Sequence, residues 1–543
     1  MINVSNIAKY MNGVALYENA GFQIFAGEKV GLVGPNGAGK TTFFKMIVGE
    51  IIPDKGEVSI QNNTRIAYFS QNVGEMKGRT ALEEVISGNE RAGVLAAHLR
   101  AYEEKLCDPN LDPQEMEKIL TKMGDDQIEF EKLGGFDMEN NAQTILTGLG
   151  IMPGDFKKPV EDFSSGWKMR IALAKVLIVM PDCILMDEPT NYLDMETILW
   201  LEDWLRNFKG AIFMTTHDRD FMNRIVKKIV EVANGTVTTF SGNYDFYEQE
   251  KAIRLKQNEA EFNRQQSMLK KEQVFIARFK ARASHAAQVQ SRVKMLDKIE
   301  RVELIGEGAE MNIELPEIPR GGDDVVVIKS LAKSFLATTG EEKKVFAGLN
   351  AIVHRGDKIA VVGVNGAGKS TFLRIICKLL EPSQGEAIVG PSIHIGYYGQ
   401  PTLEKMEPQI SVFEEVQRKL PNANDAVVRS TLAAFLFRGN DIYKKIKTLS
   451  GGEKTRVVLA HLITTPYNCL VLDEPTNHLD IKAREILLET LQSYEGTLML
   501  VSHDRFFLRG ITNRVFEVDR GHITVYDGDY EYYLEEKARV ELR

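Results

Sequence analysis

The sequence lacks the features of membrane, secreted and metal-cluster proteins. No apolar run approaches the roughly 18–20 residues that cross a bilayer. The chain has four cysteines that form no CxxC pair, Cys107, Cys183, Cys377 and Cys469. Neither disulfides nor a zinc or iron–sulfur site is therefore expected. Because the N-terminus has no basic segment followed by an apolar core, we expect a cytoplasmic protein with no transmembrane domain.

One long stretch lacks the residues that break helices. From Glu248 to about Glu303 there is no proline and no glycine, and polar residues follow helical spacing. Residues 264–301 contain ten basic and three acidic side chains, a net charge of +7, although the whole chain carries −9. This segregation is typical of a nucleic-acid contact. The alternative is a solvated, charged coiled coil.

Two glycine-rich segments each follow an apolar strand-like run and precede a helical one. They are Gly34-Pro35-Asn36-Gly37-Ala38-Gly39-Lys40-Thr41-Thr42 and Gly363-Val364-Asn365-Gly366-Ala367-Gly368-Lys369-Ser370-Thr371. Strand, glycine-rich loop, Lys-Ser/Thr and helix make up the phosphate-binding P-loop. The glycines let backbone N–H groups surround phosphate oxygens, which predicts that both segments bind the phosphates of a nucleotide. Lys40 and Lys369 would reach the β- and γ-phosphates, and the hydroxyls of Thr41 and Ser370 would ligate Mg²⁺.

The same landmarks follow each P-loop at fixed distances. Lys40 and Lys369 each precede a glutamine, Gln71 or Gln400, by 31 residues. A serine-containing segment precedes an acidic pair by 24 residues in both halves, and the pair precedes a histidine by 29. Because chance cannot keep these spacings equal, we predict two homologous nucleotide-binding domains, at about 1–245 and 323–535.

One spacing differs between the halves. The glutamine and the serine-containing segment are 93 residues apart in the first half and 50 in the second, which leaves an insertion of 43 residues. It should lie within about 88–142 and form a two-helix arm. The predicted fold is therefore α/β, with two P-loop domains, an arm in the first domain, a helical hairpin linker at 246–322 and a short tail at 536–543.

Each half has two carboxylates at the end of an apolar strand. The first acid, Asp187 or Asp473, is placed to hold Mg²⁺ through water. The second, Glu188 or Glu474, lies one residue further and is placed to polarise the attacking water as a general base. The alternative is a pair of solvated acids at a strand end.

Two further polar residues recur in each half. His217 and His503 follow the next strand, and we interpret them as γ-phosphate contacts, although a lone histidine is more often structural. Gln71 and Gln400 are interpreted as contacts to Mg²⁺ or water that link the nucleotide to the helical part of each domain.

These motifs together resemble those of the ABC ATPase superfamily. The second half carries its Leu449-Ser450-Gly451-Gly452-Glu453 signature, and the first half has Phe163-Ser164-Ser165-Gly166-Trp167. In that family two domains close head to tail, so each nucleotide lies between one P-loop and the opposite signature. The resemblance implies a first site made of Lys40, Thr41, Gln71, Asp187, Glu188 and His217 with Ser450, Gly451 and Gly452. It implies a second site made of Lys369, Ser370, Gln400, Asp473, Glu474 and His503 with Ser164 and Gly166.

The first half departs from the family pattern. Ser165 stands where a glycine is usual, so the second site is expected to turn over more slowly, and whether the two sites are equivalent is left open. The adenine-stacking aromatic is expected at Phe335 and at Tyr10, with Met11 beside Tyr10 at the corresponding place. The choice between ATP and GTP is also left open.

The whole arrangement resembles the ABC-F family, in particular the bacterial energy-dependent translational throttle group. That resemblance implies a monomeric translation factor that binds the ribosomal exit site and extends its linker toward rRNA and peptidyl-site tRNA. It implies that RNA phosphates meet Arg278, Lys280, Arg282, Arg292 and Lys294. Three alternatives stay open: an antibiotic-resistance ribosomal protection factor, the ATPase subunit of an importer, and a DNA-repair ATPase.

Overall fold

The structure is a computed structural model that describes residues 1–541, with gaps at 12, 71–73, 75, 107–112, 280–285, 297–314, 337–341, 422, 478 and 520. The chain divides into two compact units. One consists of Met1–Phe240 together with Ile313–Arg543, and the other of Ser241–Asn312. The first unit contains two domains of the same topology, and the second contains the linker helices.

The first domain is organised around a six-stranded sheet whose inner strands are apolar and buried. Its strands are β1 (Ile2–Met11), β2 (Val14–Ile24), β3 (Lys29–Val33), β4 (Lys55–Ile60), β5 (Ile66–Phe69), β6 (Cys183–Asp187), β7 (Ala211–Thr215), β8 (Lys228–Ala233) and β9 (Thr236–Phe240). The large sheet has the order β5-β6-β7-β3-β8-β9, and only β9 is antiparallel to its neighbour. A smaller antiparallel sheet has the order β2-β1-β4.

The second domain repeats this topology. Its strands are β10 (Asp324–Leu336), β11 (Glu342–His354), β12 (Lys358–Val362), β13 (Gln384–Val389), β14 (Ile395–Tyr398), β15 (Cys469–Asp473), β16 (Thr497–Val501), β17 (Arg514–Asp519) and β18 (His522–Tyr526). The sheet orders are β14-β15-β16-β12-β17-β18 and β11-β10-β13. The predicted pair of homologous P-loop domains is therefore confirmed.

Helices cover the parallel sheets because strands such as β6 and β15 are buried along their whole length. The helices of the first domain are α1 (Lys40–Ile47), α2 (Ala81–Ile86), α3 (Glu90–Leu106), α4 (Pro113–Lys132), α5 (Met138–Gly148), α6 (Ser165–Leu177), α7 (Met195–Asn207) and α8 (Arg219–Ile225). Those of the linker are α9 (Tyr244–Phe279) and α10 (Ala286–Leu296). The second domain has α11 (Lys369–Ile376), α12 (Gln400–Glu404), α13 (Val412–Lys419), α14 (Asp425–Ala434), α15 (Gly451–Ile463), α16 (Ile481–Ser493), α17 (Arg505–Ile511) and α18 (Tyr530–Glu541).

The predicted arm is present as α3 and α4, which pair antiparallel. Arg91 Nη2 lies 2.6 Å from Glu129 Oε2 near one end of the pair. Further along, His98 Nδ1 lies 3.1 Å from Asp126 Oδ2, which also accepts a bond from the hydroxyl of Tyr102. The two helices begin at residue 90 and end at residue 132. That span has the same length as the insertion inferred from the sequence.

The linker unit is a helical hairpin. The helix α9 has 36 residues, so it is about 54 Å long at 1.5 Å per residue. Arg292 on α10 reaches back to α9, where its Nη1 lies 2.5 Å from Glu272 Oε2. The same guanidinium stacks 3.9 Å above the ring of Phe275. This one side chain therefore joins the two helices by charge and by stacking.

Candidate ATP sites

Each P-loop leads from a central strand into the first turn of a helix. The helix α1 begins at Lys40, directly after β3 and its loop, and α11 begins at Lys369 after β12. The preceding residues, Gly39 and Gly368, have left-handed backbones with φ of 92° and 104°. A Cβ on Gly368 would lie 2.4 Å from a valine side chain, so both conformation and space require glycine there.

The P-loop lysines lie across their own loops. Lys40 Nζ donates to the carbonyl oxygens of Gly34 and Pro35 at 2.7 and 3.1 Å. Lys369 Nζ makes the equivalent two bonds with the same lengths. Burial lowers the pKa of both ammonium groups, and nearby carboxylates oppose that effect. The two loops therefore hold a positive charge where phosphate oxygens would bind, buried at Lys369 and half-buried at Lys40.

The P-loop hydroxyls and the strand-end aspartates come together as the sequence predicts. Thr41 Oγ1 donates to Asp187 Oδ2 at 2.6 Å, and Thr215 Oγ1 donates to the other carboxylate oxygen at 2.9 Å. In the second domain, Ser370 Oγ donates to Asp473 Oδ1 at 3.0 Å. A hydroxyl beside a carboxylate is an oxygen donor set that suits Mg²⁺ together with water and phosphate.

Each proposed general base lies beside its histidine. Glu188 Oε1 is 3.2 Å from His217 Nε2, and Glu474 Oε1 is 3.1 Å from His503 Nε2. Both glutamates have positive φ, 54° and 55°, which is uncommon for a residue with a side chain and clusters at functional sites. Burial raises the pKa of Glu188 to about 7, against the effect of Lys40. At Glu474 burial acts in the same sense, but the charge and hydrogen bond of His503, together with the charges of Lys369 and Arg484, lower the pKa.

The glutamines are placed unequally by the structure. Gln71 lies outside the described residues. Gln400 begins α12, and its Nε2 donates to Glu404 Oε1 on the next turn at 3.3 Å. Thr42 and Thr371 lie in the first turns of α1 and α11. Contacts of these residues with nucleotide or metal stay predictions.

The two aromatic candidates have different surroundings. Phe335 is exposed near the end of β10, with Lys333 Nζ 5.1 Å from its ring centroid. The hydroxyl of Tyr10 donates to Glu18 Oε1 at 2.6 Å. The strand β1 pairs with β2 in the same register in which β10 pairs with β11. In this register the exposed Met11, and not Tyr10, stands at the position of Phe335. Stacking on a base by Phe335 or Tyr10 stays a prediction.

The signature serines cap two equivalent helices, but with different bonds. Ser450 caps α15 through a capping box, in which its side chain and that of Glu453 each bond the other's backbone N–H. Ser164 caps α6 without a side-chain bond, and Trp167, at the position of Glu453, has no carboxylate that could complete a capping box. The signature glycines lie in the first turns of these helices, namely Gly166, Gly451 and Gly452. Their approach to a nucleotide in the opposite domain stays a prediction.

Comparisons with known proteins agree with this geometry. A family model described as ABC transporter matches residues 17–191 and 346–477, and a second model with the same description matches 230–315. The chain is 35% identical over 539 residues to ABC transporter F family member 5 of Arabidopsis thaliana, which covers 98% of this chain and 77% of that protein. The chain belongs to the ABC-F family. Its ABC domains bind and hydrolyse ATP.

Other ABC-F relatives cover the chain equally well. The putative ATP-binding protein YdiF of Bacillus subtilis is 34% identical over 539 residues, which are 99% of this chain and 83% of YdiF. The probable ATP-binding protein YbiT of Escherichia coli O157:H7 is 33% identical over 543 residues, which are 99% of this chain and all of YbiT. The similarity therefore includes the arm and the linker as well as the ATPase domains.

Solved structures share the tandem fold at lower sequence identity. A structure named RNase-L Inhibitor is 18% identical, with a TM-score of 0.61 over 99% of this chain and 93% of that one. An archaeal ribosome recycling factor, solved in complex with a ribosomal stalk protein, is also 18% identical, with a TM-score of 0.61 over 98% of this chain and 92% of that one. Among the described residues of this ABC-F protein, no helix is long and apolar enough to span a membrane.

The two ABC domains of this ABC-F protein contact each other beside the second site. The backbone N–H of Asn365, in the second P-loop, donates to Asp194 Oδ2 at 3.1 Å, and its side chain donates to the carbonyl of Tyr192 at 3.2 Å. The buried Arg170 holds the same acid at 3.0 Å and the same carbonyl at 3.1 Å. Burial alone would raise the pKa of Asp194, but Arg170 keeps it well below its usual range. The loop of the first domain that contains Tyr192 and Asp194 is thus bonded to the second P-loop.

A buried ion pair also crosses between the domains. Arg505 Nη2 lies 2.9 Å from Glu202 Oε1, and each side chain is 4% exposed. Arg224 of the first domain bonds the other oxygen of Glu202 at 2.9 Å. More exposed pairs lie nearby, between Arg509 and Asp220 and between Arg219 and Glu485.

The sequence reasoning missed most of these interdomain residues. Arg484 of the second domain also reaches the first domain, where it donates to the carbonyl oxygen of His217. Glu202 and Arg484 correspond by spacing to Leu488 and Ile198 in the other half. Because they break the repeat, a search for landmarks shared by the halves cannot find them. The available signal was a charged residue in one half whose counterpart at the same spacing in the other half is apolar.

Proposed function

We propose that this ABC-F ATPase binds the ribosome at the exit site, extends its linker toward peptidyl-site tRNA, and regulates or rescues translation elongation. The observation that carries this proposal is the net charge of +7 on residues 264–301, in a chain of net charge −9. A basic helical hairpin attached to two ATPase domains suits a partner rich in phosphate. Contacts with phosphates would give salt-dependent and largely sequence-independent affinity.

The hairpin offers two kinds of cation for this role. Arg278 near the end of α9 and Lys294 on α10 are exposed to the solvent, from which RNA phosphates would approach them. Arg292 is occupied by Glu272 and Phe275 and would act mainly by keeping the hairpin folded. Lys280 and Arg282 lie outside the described residues, and their proposed contacts depend on the sequence alone.

Hydrolysis in this proposal uses the paired residues of each site. Lys40 and Lys369 would leave their loop carbonyls to bind the β- and γ-phosphates. Mg²⁺ would supply charge neutralisation on the phosphates, held by Thr41 with Asp187 and by Ser370 with Asp473. Glu188 and Glu474 would accept a proton from the attacking water, and His217 and His503 would contact the γ-phosphate. ATP binding would close the domains and hydrolysis would reopen them.

Relatives give limited support for the partner. The curated relatives are named as ATP-binding proteins or as F family members, which supports the ATPase. Of two structural neighbours, one is a model of ribosome-bound archaeal Pelota and ABCE1, and the other is an archaeal ribosome recycling factor in complex with a ribosomal stalk protein. At 17–18% identity these neighbours share the fold, so the ribosomal role of this chain depends on its own linker charge.

The proposal is tested with the double variant Glu188→Gln/Glu474→Gln. Removing a general base typically slows a reaction about 10²–10⁴-fold, so this variant should bind ATP and hydrolyse it very slowly. We expect it to sediment with ribosomes in ATP and to stay in the supernatant without nucleotide. The matched control is Glu57→Gln/Glu386→Gln, which changes one exposed strand glutamate in each domain.

The outcomes separate the proposed partners. Retention of the double variant above wild type and control, lost on RNase treatment, supports the ribosome. Equal sedimentation of all three proteins contradicts it. Binding to detergent-solubilised permeases instead of ribosomes would favour the ATPase subunit of an importer.

A further inference from the structure

One guanidinium touches the functional loops of both ABC domains. Arg484 lies in the first turn of α16, and its side chain is 13% exposed. Its Nη1 donates to the carbonyl oxygen of His217, in the first domain, at 3.2 Å. The same nitrogen lies 2.8 Å from Asp504 Oδ2, beside the histidine of the second domain. Its Nε donates to the carbonyl of Leu479 at 3.1 Å.

These three contacts reach parts of both ATP sites. His217 lies beside Glu188, as described above. Asp504 follows His503 in the chain and caps α17 by accepting from a backbone N–H. Leu479 precedes Asp480, whose charge acts on the P-loop Lys40 of the first domain. One side chain is therefore bonded to a loop of each hydrolytic centre.

The charge of Arg484 also reaches both general bases. Burial acts to raise the pKa of Glu188 and of Glu474, and Arg484 is among the positive charges that act to lower it. Arg484 has the same effect on the buried Asp218, next to His217. Loss of this cation would therefore change the electrostatics of both sites as well as the hydrogen bonds.

The contact has no counterpart from the first domain. The residue equivalent to Arg484 is Ile198, which is buried and carries no donor. The carbonyl of His217 thus accepts a hydrogen bond from the second domain. The carbonyl of His503, its counterpart in the repeat, cannot accept one from the side chain of Ile198. The arrangement is directional, because the second domain supplies the guanidinium and the first domain supplies the acceptor.

We propose that Arg484 is a positioning residue that couples the two ATP sites, so that occupancy of the second site sets the geometry of the His217–Glu188 pair at the first. The inference depends on the roles proposed for the glutamates and histidines but not on the ribosome as partner. Arg484 touches no nucleotide in this proposal, and it acts through the loops it holds.

The test uses Arg484→Ala, Arg484→Lys and the control Arg509→Ala in the purified full-length chain. Arg509 also pairs across the domains, with Asp220, and it forms another ion pair with Glu531 of its own domain. Each change is combined with Glu474→Gln, which leaves hydrolysis at the first site, and with Glu188→Gln, which leaves it at the second. Single-turnover hydrolysis and ATP affinity are measured in each combined variant. The Hill coefficient for ATP is measured in the parent and in the arginine variants that keep both glutamates.

We expect Arg484→Ala to slow the first site about tenfold, a loss that corresponds to one buried charged hydrogen bond. The second site should slow by a smaller factor. ATP affinity should stay unchanged, and the Hill coefficient for ATP should fall toward one in the chain with both glutamates. Arg484→Lys, which keeps the charge, should recover part of the rate. Arg509→Ala should leave the ratio of the two site rates as in the parent.

Two results would overturn the inference. One is an equal loss at both sites that Arg509→Ala reproduces, because this indicates only a weakened domain contact. The other is an unchanged Hill coefficient in Arg484→Ala. If single glutamate variants keep full activity, the assignment of the bases fails, and the Hill coefficient still decides whether Arg484 couples the sites.

Discussion

At the scale of single residues, the contact between the ABC domains depends on a few buried charges. Glu202 accepts from Arg505 of the opposite domain and from Arg224 of its own, and its side chain is only 4% exposed. A buried ion pair adds little to the free energy of unfolding compared with an apolar pair of the same shape. Removal of one partner is costly, however, because it leaves the other charge without compensation.

Glu202→Gln should therefore destabilise the chain by about 3 kcal/mol, since Arg505 would keep its charge in a buried place. The matched control is Glu485→Gln. Glu485 pairs with Arg219 of the first domain, but its side chain is 39% exposed. That control should cost under about 1 kcal/mol. Urea midpoints of the two variants and the parent give the comparison, and equal midpoints for the variants would contradict it.

His461 on α15 should make the second domain sensitive to acid. Burial, helped by Lys419, lowers its pKa to about 4. Between that value and the ordinary histidine pKa of about 6.5 the unfolded chain binds the proton more tightly, so stability rises with pH over this range. The expected loss is about 2 kcal/mol at about pH 5 relative to neutral pH.

His461→Gln should remove this part of the pH dependence of unfolding. The exposed His522 on β18 provides the control, and His522→Gln should keep the dependence of the parent. Denaturant unfolding of the three chains at about pH 5 and at neutral pH measures the difference. A parent and a His461 variant with the same pH response would show that another group is responsible.

At this scale the sequence was informative wherever the two halves agree. The spacings located Lys40, Asp187 and Glu188. The structure pairs the P-loop hydroxyl with the aspartate and the histidine with the glutamate in both halves, and their roles stay predictions. The pairing of Arg292 with Glu272 was not predicted, because a net charge does not tell which cations are already bound within the hairpin.

At the scale of elements, the arm is an addition to a domain that is complete without it. The helices α3 and α4 bond to each other through Arg91 with Glu129 and His98 with Asp126. Among the described residues that connect α13 to α14, the second domain has no inserted helices, and its P-loop and acidic pair are nevertheless placed in the same way. The length comparison of the halves predicted this element because an insertion changes a spacing that is otherwise repeated.

Deletion of residues 90–132 with direct joining of the flanks should therefore leave ATP hydrolysis within about twofold of the parent, because every proposed ATP contact lies outside the deletion. Steady-state ATPase activity and nucleotide affinity measure this. The double change Arg91→Ala/Asp126→Ala, which weakens the arm without removing it, is the control for an effect of the cut itself. A deleted chain that binds no ATP while the control does would show that the arm supports the domain.

At the scale of the whole molecule, positive and negative charge are kept in different parts of the chain. Residues 264–301 carry +7, and the rest carries −16. Composition located this segment, but it could not show which cations face outward. The structure leaves Arg278 and Lys294 exposed.

Arg278→Glu/Lys294→Glu should weaken binding to ribosomes and flatten its salt dependence. Each lost phosphate contact reduces the slope of log affinity against log salt by about 0.7–0.9. The slope should therefore fall by roughly 1.5 for the pair, with ATP hydrolysis in the absence of ribosomes unchanged. Arg65→Glu/Lys329→Glu, which changes one exposed cation in each ABC domain, is the matched control. An unchanged slope in the linker variant, or an equal change in the control, would place the contacts elsewhere.

The unmatched positions at Arg484 and Glu202 have a consequence for the ancestry of the chain. A protein rebuilt from two second halves would have two arginines of the Arg484 type. It would have no Glu202 to pair with either copy of Arg505. A protein rebuilt from two first halves would have Glu202 twice and no Arg484 at all. The duplicated halves are therefore no longer equivalent where they contact each other.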